Sequence, residues 1–388
     1  MVATLGLVGL RPAPQHVADV VTPPYDVIKP GSALESRLKA RSASIFSVIL
    51  GETPRPALDR LVETGALLGD DEAAFYVMEQ AWGDELRTGV FLAAAVTDYS
   101  EQQVIRHEKT FDEKVKGRIA LTRATEHTIG PVFLLTKGAL GAALEAVKGT
   151  PPLYAFTGEY GGGTDLDGVA TRVWRVVEAS AEGAAIQAAI GPHPLYIADG
   201  HHRYHAALRN GQSHLLAYVT EGARILAYDR VVNGVNAFAS VQDQLDLTPT
   251  EDFKTPPKNH FCLYSREGCW TLSAKDVPGD VVGRLDCSIL ERELYPKLGL
   301  AHEHIIDPKH FDYYPESALA DMRAVVDDGT YELAIALHPV SIDELMAVAD
   351  AGLEDGDIVM PEKSTFFSPK IPTGLFLYRH TATVAHQA

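Results

Sequence analysis

Two hydrophobic patterns alternate along the chain: short continuous apolar runs, and stretches in which apolar residues recur every three or four positions. The runs at 73–82 and 87–99 are joined by GDEL and predict two strands connected by a tight turn. The charged, helix-periodic stretch that begins at 106 leads into the apolar strand PVFLLT at 131–136. A hairpin with a GGG loop is predicted over 152–178.

The same patterns place further elements in the middle and last parts of the chain. Helix, strand, helix and strand are predicted, in that order, for the segments GAAIQAAI, PLYIA, HHRYHAALRN and LLAYVT. This alternation favours an α+β fold, that is, a mixed α/β class. The composition changes near residue 236, where a loop, TPTEDFKTPPKNHF, follows at 248–261. We therefore expect three parts: an N-terminal α/β segment at 1–94, a core at 95–235 and a C-terminal α/β domain at 236–388.

Charge and composition exclude several classes of protein. The 388 residues carry a formal net charge of −18, which opposes binding to nucleic acid or to an anionic membrane. No run approaches the length of a transmembrane helix, and the three cysteines have no C-x-x-C spacing. We expect a cytoplasmic protein that binds a small molecule, and a homodimer is compatible with these features.

The segment LYIADGHHRYHAALRNG at 195–211 concentrates chemical groups where a strand meets a helix. Unpaired N–H groups and roughly half a positive charge gather at a helix start, and Gly200 lets a ligand approach the backbone there. Arg203 adds a guanidinium suited to phosphate or carboxylate. His201 and His202 can donate hydrogen bonds or transfer protons. This composition predicts a site for a small anion.

Asp199 has two interpretations, and the sequence leaves both open. It is either a helix N-cap or a functional carboxylate that shares Mg²⁺ with a bound phosphate. His201 and His205 have the i, i+4 spacing of zinc ligands, but the glutamate of an H-E-x-x-H motif is absent, so zinc is not expected. His205 is more often structural in such a context.

Three other polar segments carry candidate residues. A glutamate after a predicted strand can act as a general base, and neighbouring cations can neutralise phosphate. The candidates in the segment RHEKTF are Arg106, His107, Glu108 and Lys109. A second set of phosphate-binding candidates, in PEKSTFFSPK, comprises Lys363, Ser364, Thr365 and Lys370. Candidates for contacting the substrate are Tyr25, Asp26 and Arg230.

Four blocks in this order resemble the bacterial and archaeal family known as domain of unknown function 1015. They are TPPYDVI, RHEKTFDEKVKGRIALTRATEHTIGPVFLL, LYIADGHHRYHAAL and MPEKSTFFSPKIPTGL. The Gly200 to Arg203 corner is similar to the Gly-x-x-Arg corner of the ParB and sulfiredoxin superfamily, which includes free-serine kinases. His201 stands where sulfiredoxins have cysteine, and no helix-turn-helix of a partition protein is evident.

The resemblance implies a ParB-like nucleotide-binding core and a phosphotransferase that acts between ATP or ADP and a small hydroxyl metabolite such as serine or phosphoserine. It would hold the phosphates at Asp199–Arg203 with Mg²⁺ partly on Asp199. Glu108 would take the proton, and His201 is the alternative base or a transient phosphate carrier. Two other functions stay open: a phosphomonoester hydrolase, with or without bound metal, and a nucleotide-sensing regulator without turnover.

Overall fold

The computed structural model describes residues 2–380 and divides the chain into two compact units. The first comprises Met1–Ala223 together with Pro369–Ala388, and the second is Arg224–Ser368. The chain therefore leaves the first unit, builds the whole second unit, and then returns. The division into three parts at 94 and 235 stays a prediction.

Strands and helices occur in similar proportion in the described residues. The strands are β1 Thr4–Leu5, β2 Leu7–Pro12, β3 Leu67–Trp82, β4 Glu85–Ala95, β5 Val104–Ile105, β6 His127–Thr128, β7 Val132–Thr136, β8 Tyr154–Thr157, β9 Ala170–Val177, β10 Leu195–Asp199, β11 His214–Thr220, β12 Arg224–Leu226, β13 Tyr228–Val232, β14 Leu247–Pro249, β15 His260–Ser265, β16 Gly268–Ser273, β17 Phe311–Pro315, β18 Leu333–Leu337, β19 Phe366–Ser368 and β20 Leu377–Arg379. The α-helices are α1 Val17–Val20, α2 Ala33–Ala40, α3 Phe46–Ile49, α4 Pro54–Glu63, α5 Asp112–Thr125, α6 Gly141–Val147, α7 Ala181–Ile190, α8 His201–Arg209, α9 Phe238–Val241, α10 Asp286–Glu293, α11 Leu319–Asp327 and α12 Ile342–Glu354.

A large mixed sheet organises the first unit. Its strands follow the order β5-β10-β7-β11-β4-β3-β2-β20-β6, while β1 pairs with β4, β9 with β3, and β8 with β9. β10 runs antiparallel to β7 and parallel to β5, and β7 runs parallel to β11. β10 therefore lies inside the sheet: β5 pairs with its first two residues, and β7 pairs with it as far as Asp199.

The core of this unit explains why its central strands are continuous apolar runs. All five residues of β7 are buried, as are six of the seven in β11, because side chains on both faces of these strands are covered. Tyr204 and Ala207 of α8 join this core from the helix side. Burial of its apolar face fixes α8 against the sheet, which in turn fixes the side chains of its first turn.

The second unit contains a six-stranded antiparallel sheet of order β14-β16-β15-β18-β13-β17 and a separate pair, β12 and β19. α11 contributes Met322 and Val326 to a cluster that includes Val231 and Ala334 of the sheet. No helix within residues 2–380 has the length and hydropathy that crossing a bilayer requires.

The α+β class predicted from the sequence is confirmed, as are the hairpin of β3 and β4, the hairpin of β8 and β9, and the order α7-β10-α8-β11. The loop predicted at 248–261 is present at 250–259, between β14 and β15, and both of these strands belong to the six-stranded sheet. The segment at 360–378 contains β19 and the start of β20. The sequence patterns also missed α12.

Candidate functional site

The corner between β10 and α8 has a backbone that only glycine accepts readily. Gly200 adopts φ 102° and ψ 28° as the residue that precedes the helix. A Cβ at this position would lie 2.8 Å from Nε of Arg203. Glycine therefore provides both the turn and the space in which the Arg203 side chain lies.

Asp199 does not cap the helix. Gly200 occupies the N-cap position, and no side chain caps α8. The carboxylate instead faces two cations, with Arg203 Nη2 at 3.5 Å and Lys370 Nζ at 3.3 Å. Burial acts to raise the pKa of Asp199, but the positive charges of Lys370 and Arg203 outweigh it and hold this pKa well below its usual range. The N-cap interpretation is thus wrong for Asp199.

These contacts also test whether Asp199 fits a magnesium ligand. Its two oxygens already face an ammonium and a guanidinium. A divalent cation at the same carboxylate would meet repulsion from both positive charges. The arrangement therefore does not fit a magnesium ion held by Asp199.

Lys370 reaches Asp199 because the backbone around it is fixed by buried polar groups. Its N–H donates to Asp165 Oδ2 at 2.9 Å, and its carbonyl accepts a hydrogen bond from Gln80 Nε2 at 3.3 Å. The carbonyl of Pro369 accepts a hydrogen bond from the buried Arg87 at 2.5 Å. The lysine is itself only 9% exposed, so its ammonium has little freedom to leave the carboxylate.

Glu108 lies between two buried imidazoles. Its carboxylate oxygens are 3.8 Å from His107 Nε2 and 3.6 Å from His201 Nδ1. Nε2 of His201 lies 3.4 Å from the backbone N–H of His107 and accepts from it, which leaves the proton of His201 on Nδ1, toward Glu108. Glu108 is 28% exposed while both histidines are buried, so the carboxylate is the member of this group that a substrate can reach.

Both histidines are neutral at physiological pH. Burial lowers the pKa of His107 to about 4 and that of His201 well below its usual value. Neither ring nitrogen of His107 makes a hydrogen bond of normal geometry. The backbone of Ile197 is nevertheless close enough to raise the pKa of His107 and so to offset part of the effect of burial. Suitable ligand atoms of His107, Glu108 and His201 lie within 4.8 Å of one another, so this group also has the composition of a metal site.

The buried, neutral His107 predicts a stability that falls in mild acid. Its folded-state pKa of about 4 lies below the unfolded value of about 6.5, so the unfolded chain binds the proton more tightly. The contribution of neutral His107 to the free energy of unfolding is fully present above pH 6.5. As the pH falls toward 4, the free energy of unfolding decreases by about 3 kcal/mol. Urea unfolding at a series of pH values should show this loss in the wild type and a shallower slope in His107→Gln. Parallel curves for the two proteins would contradict it.

The remaining residues around the corner have mainly structural contacts. His202 Nε2 accepts from the N–H of Phe111 at 3.1 Å and its ring stacks on Phe111, which ties the start of α5 to α8. Arg106 lies over the ring of Tyr99, and the ring of His205 stacks on the same tyrosine. The cluster of potential metal ligands includes His201 but not His205. Lys109 is exposed.

Tyr25 lies at the same corner and reveals a residue that the sequence analysis missed. The guanidinium of Arg118, on α5, lies 4.0 Å from the centre of the Tyr25 ring. The charges of Arg203 and Arg118 act on the pKa of Tyr25, so all three groups are close together. Asp26, next to Tyr25, is exposed. A signal existed: Arg118 is three residues after the buried Val115, on the inward face of α5.

Four predicted site residues belong to the second unit. Arg230 is buried and donates to the carbonyl of Lys363 at 3.4 Å, while Lys363 Nζ lies 5.6 Å from the ring of Tyr228. Ser364 is buried and donates to the carbonyl of Pro361. Thr365 follows in the same segment. A role in phosphate binding for Lys363, Ser364 and Thr365, and a contact of Arg230 with the substrate, stay predictions.

Comparisons with known proteins identify a family, and the similar solved structures have low identity and low TM-scores. A family model described as "Protein of unknown function (DUF1015)" matches residues 6–288. A search of curated proteins returns no match.

Among solved structures, one similar chain is a free serine kinase in complex with AMP, with 13% identity and a TM-score of 0.37 over 72% of this chain and 86% of that one. Another is SbnI with a C-terminal truncation from Staphylococcus aureus, with 12% identity and a TM-score of 0.38 over 77% and 90% of the two chains. A conserved hypothetical protein from Pyrococcus furiosus has 15% identity and a TM-score of 0.35 over 74% and 93%. At such low TM-scores, the function of this chain has to rest on its own residues.

Proposed function

The chain belongs to the DUF1015 family of proteins of unknown function, and we propose that it is a phosphotransferase that binds ATP or ADP at the corner formed by Gly200, Arg203 and Lys370. The observation that carries the proposal is the pair of cations on either side of Asp199, next to a helix start without a side-chain cap. A ParB-like identity for this core is part of the proposal.

The corner has the groups that a nucleotide phosphate requires. The first N–H groups of α8 point along the helix axis, away from its N-terminal end, and the helix dipole favours an anion there. Gly200 has no side chain to obstruct a phosphate. Arg203 can donate two parallel hydrogen bonds, and Lys370 adds a compact positive charge.

Asp199 acts in this proposal as a positioning residue rather than as a metal ligand. Its carboxylate holds Arg203 and Lys370 on opposite oxygens and offsets part of their mutual repulsion before a phosphate arrives. Magnesium, when bound with the nucleotide phosphates, supplies further neutralisation of their charge.

Phosphoryl transfer requires a base on the acceptor side, and Glu108 is the group best placed for it. The carboxylate takes the proton of the acceptor hydroxyl, the hydroxyl oxygen forms a bond to the γ-phosphorus of ATP, and the bond to the β-phosphate oxygen breaks to release ADP. His107 and His201, both neutral, keep Glu108 in place without adding a positive charge beside it. His201 is 3% exposed, and its Nε2 accepts a hydrogen bond, which opposes a role as a phosphate carrier.

A product survey tests the proposed activity directly. The purified protein is incubated with Mg²⁺, with ATP or ADP, and with a pool of hydroxyl metabolites and their phosphates, and the products are identified by mass. Serine and phosphoserine are the first acceptor and donor to test, since the sequence resemblance implies them. Phosphate transfer that depends on both the nucleotide and one metabolite supports the proposal. Nucleotide binding without any turnover across the pool contradicts it and favours a regulator.

Replacing Glu108 with glutamine should slow the transfer step and spare nucleotide binding. The amide keeps the shape of the side chain but cannot accept the acceptor's proton, so kcat should fall by roughly 10²- to 10⁴-fold. The nucleotide dissociation constant, measured by titration calorimetry, should stay within about twofold, because the phosphates contact Gly200 and Arg203 instead. An unchanged kcat would remove Glu108 from the mechanism.

One observation favours a second candidate, a metal-dependent phosphomonoester hydrolase. His107, Glu108 and His201 offer two nitrogens and a carboxylate within metal-binding range. Coordination through His201 Nδ1 requires its proton to move to Nε2, which breaks the hydrogen bond from His107 N–H. One zinc per chain, with phosphate released from phosphoserine in the absence of nucleotide, would establish this function in place of the kinase.

A further inference from the structure

Two arginines from neighbouring helices border one small cavity in the first unit. Arg118 comes from α5 and Arg203 from α8, and the cavity between these helices has a volume of about 40 Å³. Its other polar lining residues are Tyr25, Thr122, His127, Thr128, Gln212 and Thr373. Cavities of this size in protein interiors are usually apolar or hold water, so two guanidiniums at one cavity call for a specific reason.

The charges at the cavity are incompletely compensated. Arg118 lies over the face of Tyr25, and its Nε is buried without a hydrogen bond. Arg203 has Asp199 at 3.5 Å, longer than a normal hydrogen bond. Burial lowers the pKa of Arg118, and repulsion from the nearby charge of Arg203 lowers it further. A bound anion would remove this repulsion and satisfy the free donor.

The volume of the cavity selects the size of that anion. A single water needs roughly 10–15 Å³ of such space, so about 40 Å³ accommodates the oxygens of one carboxylate or one phosphate group but not a nucleoside. Planar, forked guanidiniums match both groups by paired hydrogen bonds.

We propose that Arg118 and Arg203 bind a single carboxylate or phosphate group in this cavity, with Tyr25 as its aromatic wall. That this group belongs to the acceptor of the reaction rests on the proposed function; the binding of the oxyanion does not. Arg118 is then the residue that selects acidic acceptors over neutral alcohols. Arg203 contributes to both sites, so Arg118, which is not part of the proposed nucleotide corner, is the residue that distinguishes this role from nucleotide binding.

Titration calorimetry on the full chain tests the inference with three simple probes. Inorganic phosphate represents a phosphate group, lactate a hydroxy-carboxylate, and propane-1,2-diol the same carbon skeleton without the charge. We expect heat of binding with phosphate or lactate and none with the diol, and the better of the two anions identifies the group that the cavity takes. Failure of both anions to bind the wild type would overturn the proposal.

Variants assign the binding to Arg118. Arg118→Gln should weaken the anion that binds by at least about tenfold, as expected for a lost charged hydrogen bond. Arg209→Gln is the matched control, because Arg209 is an exposed arginine of α8 that pairs with Asp112, and its affinity should equal that of the wild type. Equal affinity in Arg118→Gln and the wild type would refute the assignment.

Folding and function are controlled separately. If circular dichroism shows that Arg118→Gln is unfolded, Arg118→Lys keeps the charge and loses the fork, and it should still bind the anion more weakly than the wild type. Wild-type affinity in Arg118→Lys would then contradict the proposal. MgATP binding is measured in parallel. If anion binding depends on Arg118 but the protein does not turn over ATP, this inference holds and the phosphotransferase proposal fails. If the protein turns over ATP but shows no such anion binding, the phosphotransferase proposal holds and this inference fails.

Discussion

Replacing Arg203 with glutamine should reduce kcat/KM for phosphoryl transfer by roughly 10²- to 10³-fold, the range found when one donor to developing charge is removed. Arg203 donates from the first turn of α8, beside the glycine whose missing side chain makes room for it. Glutamine lacks both the charge and the fork, so the nucleotide phosphates lose their main directional contact. The measurement is steady-state kinetics together with nucleotide affinity by calorimetry.

The fold should survive this change. Arg203 is not part of the apolar face of α8, which is anchored by Tyr204 and Ala207. Arg209→Gln removes the same charge from the exposed end of the same helix and should leave the kinetics unchanged. If Arg203→Gln retains full turnover with an intact circular dichroism spectrum, the corner does not bind the reacting phosphates.

Replacing Lys370 with methionine should destabilise the protein as well as inactivate it. Methionine has a similar length and no charge, so Asp199 is left largely buried with only the more distant Arg203 as partner. Breaking a buried ion pair by removing one member costs about 3 kcal/mol or more. Urea unfolding at pH 7 should show a free energy of unfolding lower by about that amount, and transfer activity should be lost with the charge that Lys370 brings to the phosphates.

Two controls separate the lost pair from lost packing. The double variant Lys370→Met, Asp199→Asn removes the unpaired carboxylate and should recover much of the stability but none of the activity. The pH dependence supplies the second control. The pKa of Asp199 in the wild type lies below its unfolded value, so its ionic contacts stabilise the fold above about pH 4 and are lost as the pH falls through the folded-state pKa. The difference between wild type and Lys370→Met should therefore be largest near neutral pH and shrink below about pH 4. A constant difference would indicate lost packing instead.

Short-range sequence patterns predicted many of the strands and helices of the first unit. The apolar runs and turn residues identified both hairpins and the α7-β10-α8-β11 order, because neighbouring residues decide these elements. Gly200 and Arg203, one helical turn later, also identified the corner between β10 and α8, because the two residues are close together in the sequence.

These short-range patterns did not predict contacts between residues that lie far apart in the sequence. One partner of Asp199 is Lys370, 171 positions away. The backbone of Lys370 is held by a hydrogen bond that it donates to Asp165 and one that it accepts from Gln80, and no sequence spacing reveals these contacts. Without that lysine in view, an N-cap was a reasonable interpretation of Asp199. The position of Arg118 also depends on such distant contacts: a charged side chain on a helix usually faces water, whereas the packing of α5 beside α8 turns this one inward.

The route of the chain through the two units sets the order in which the site can be completed during synthesis. The ribosome finishes the first 223 residues, including Asp199 and Arg203, and then has to make all of 224–368 before Pro369 and Lys370 appear. At about 5–20 residues per second, this delay lasts on the order of ten seconds. During this delay the sheet of the first unit lacks β20, so one side of β2 has no partner strand. The carboxylate of Asp199 also lacks its lysine partner. A chain that stops before Lys370 can therefore contain most of the first unit and still lack the lysine beside Asp199.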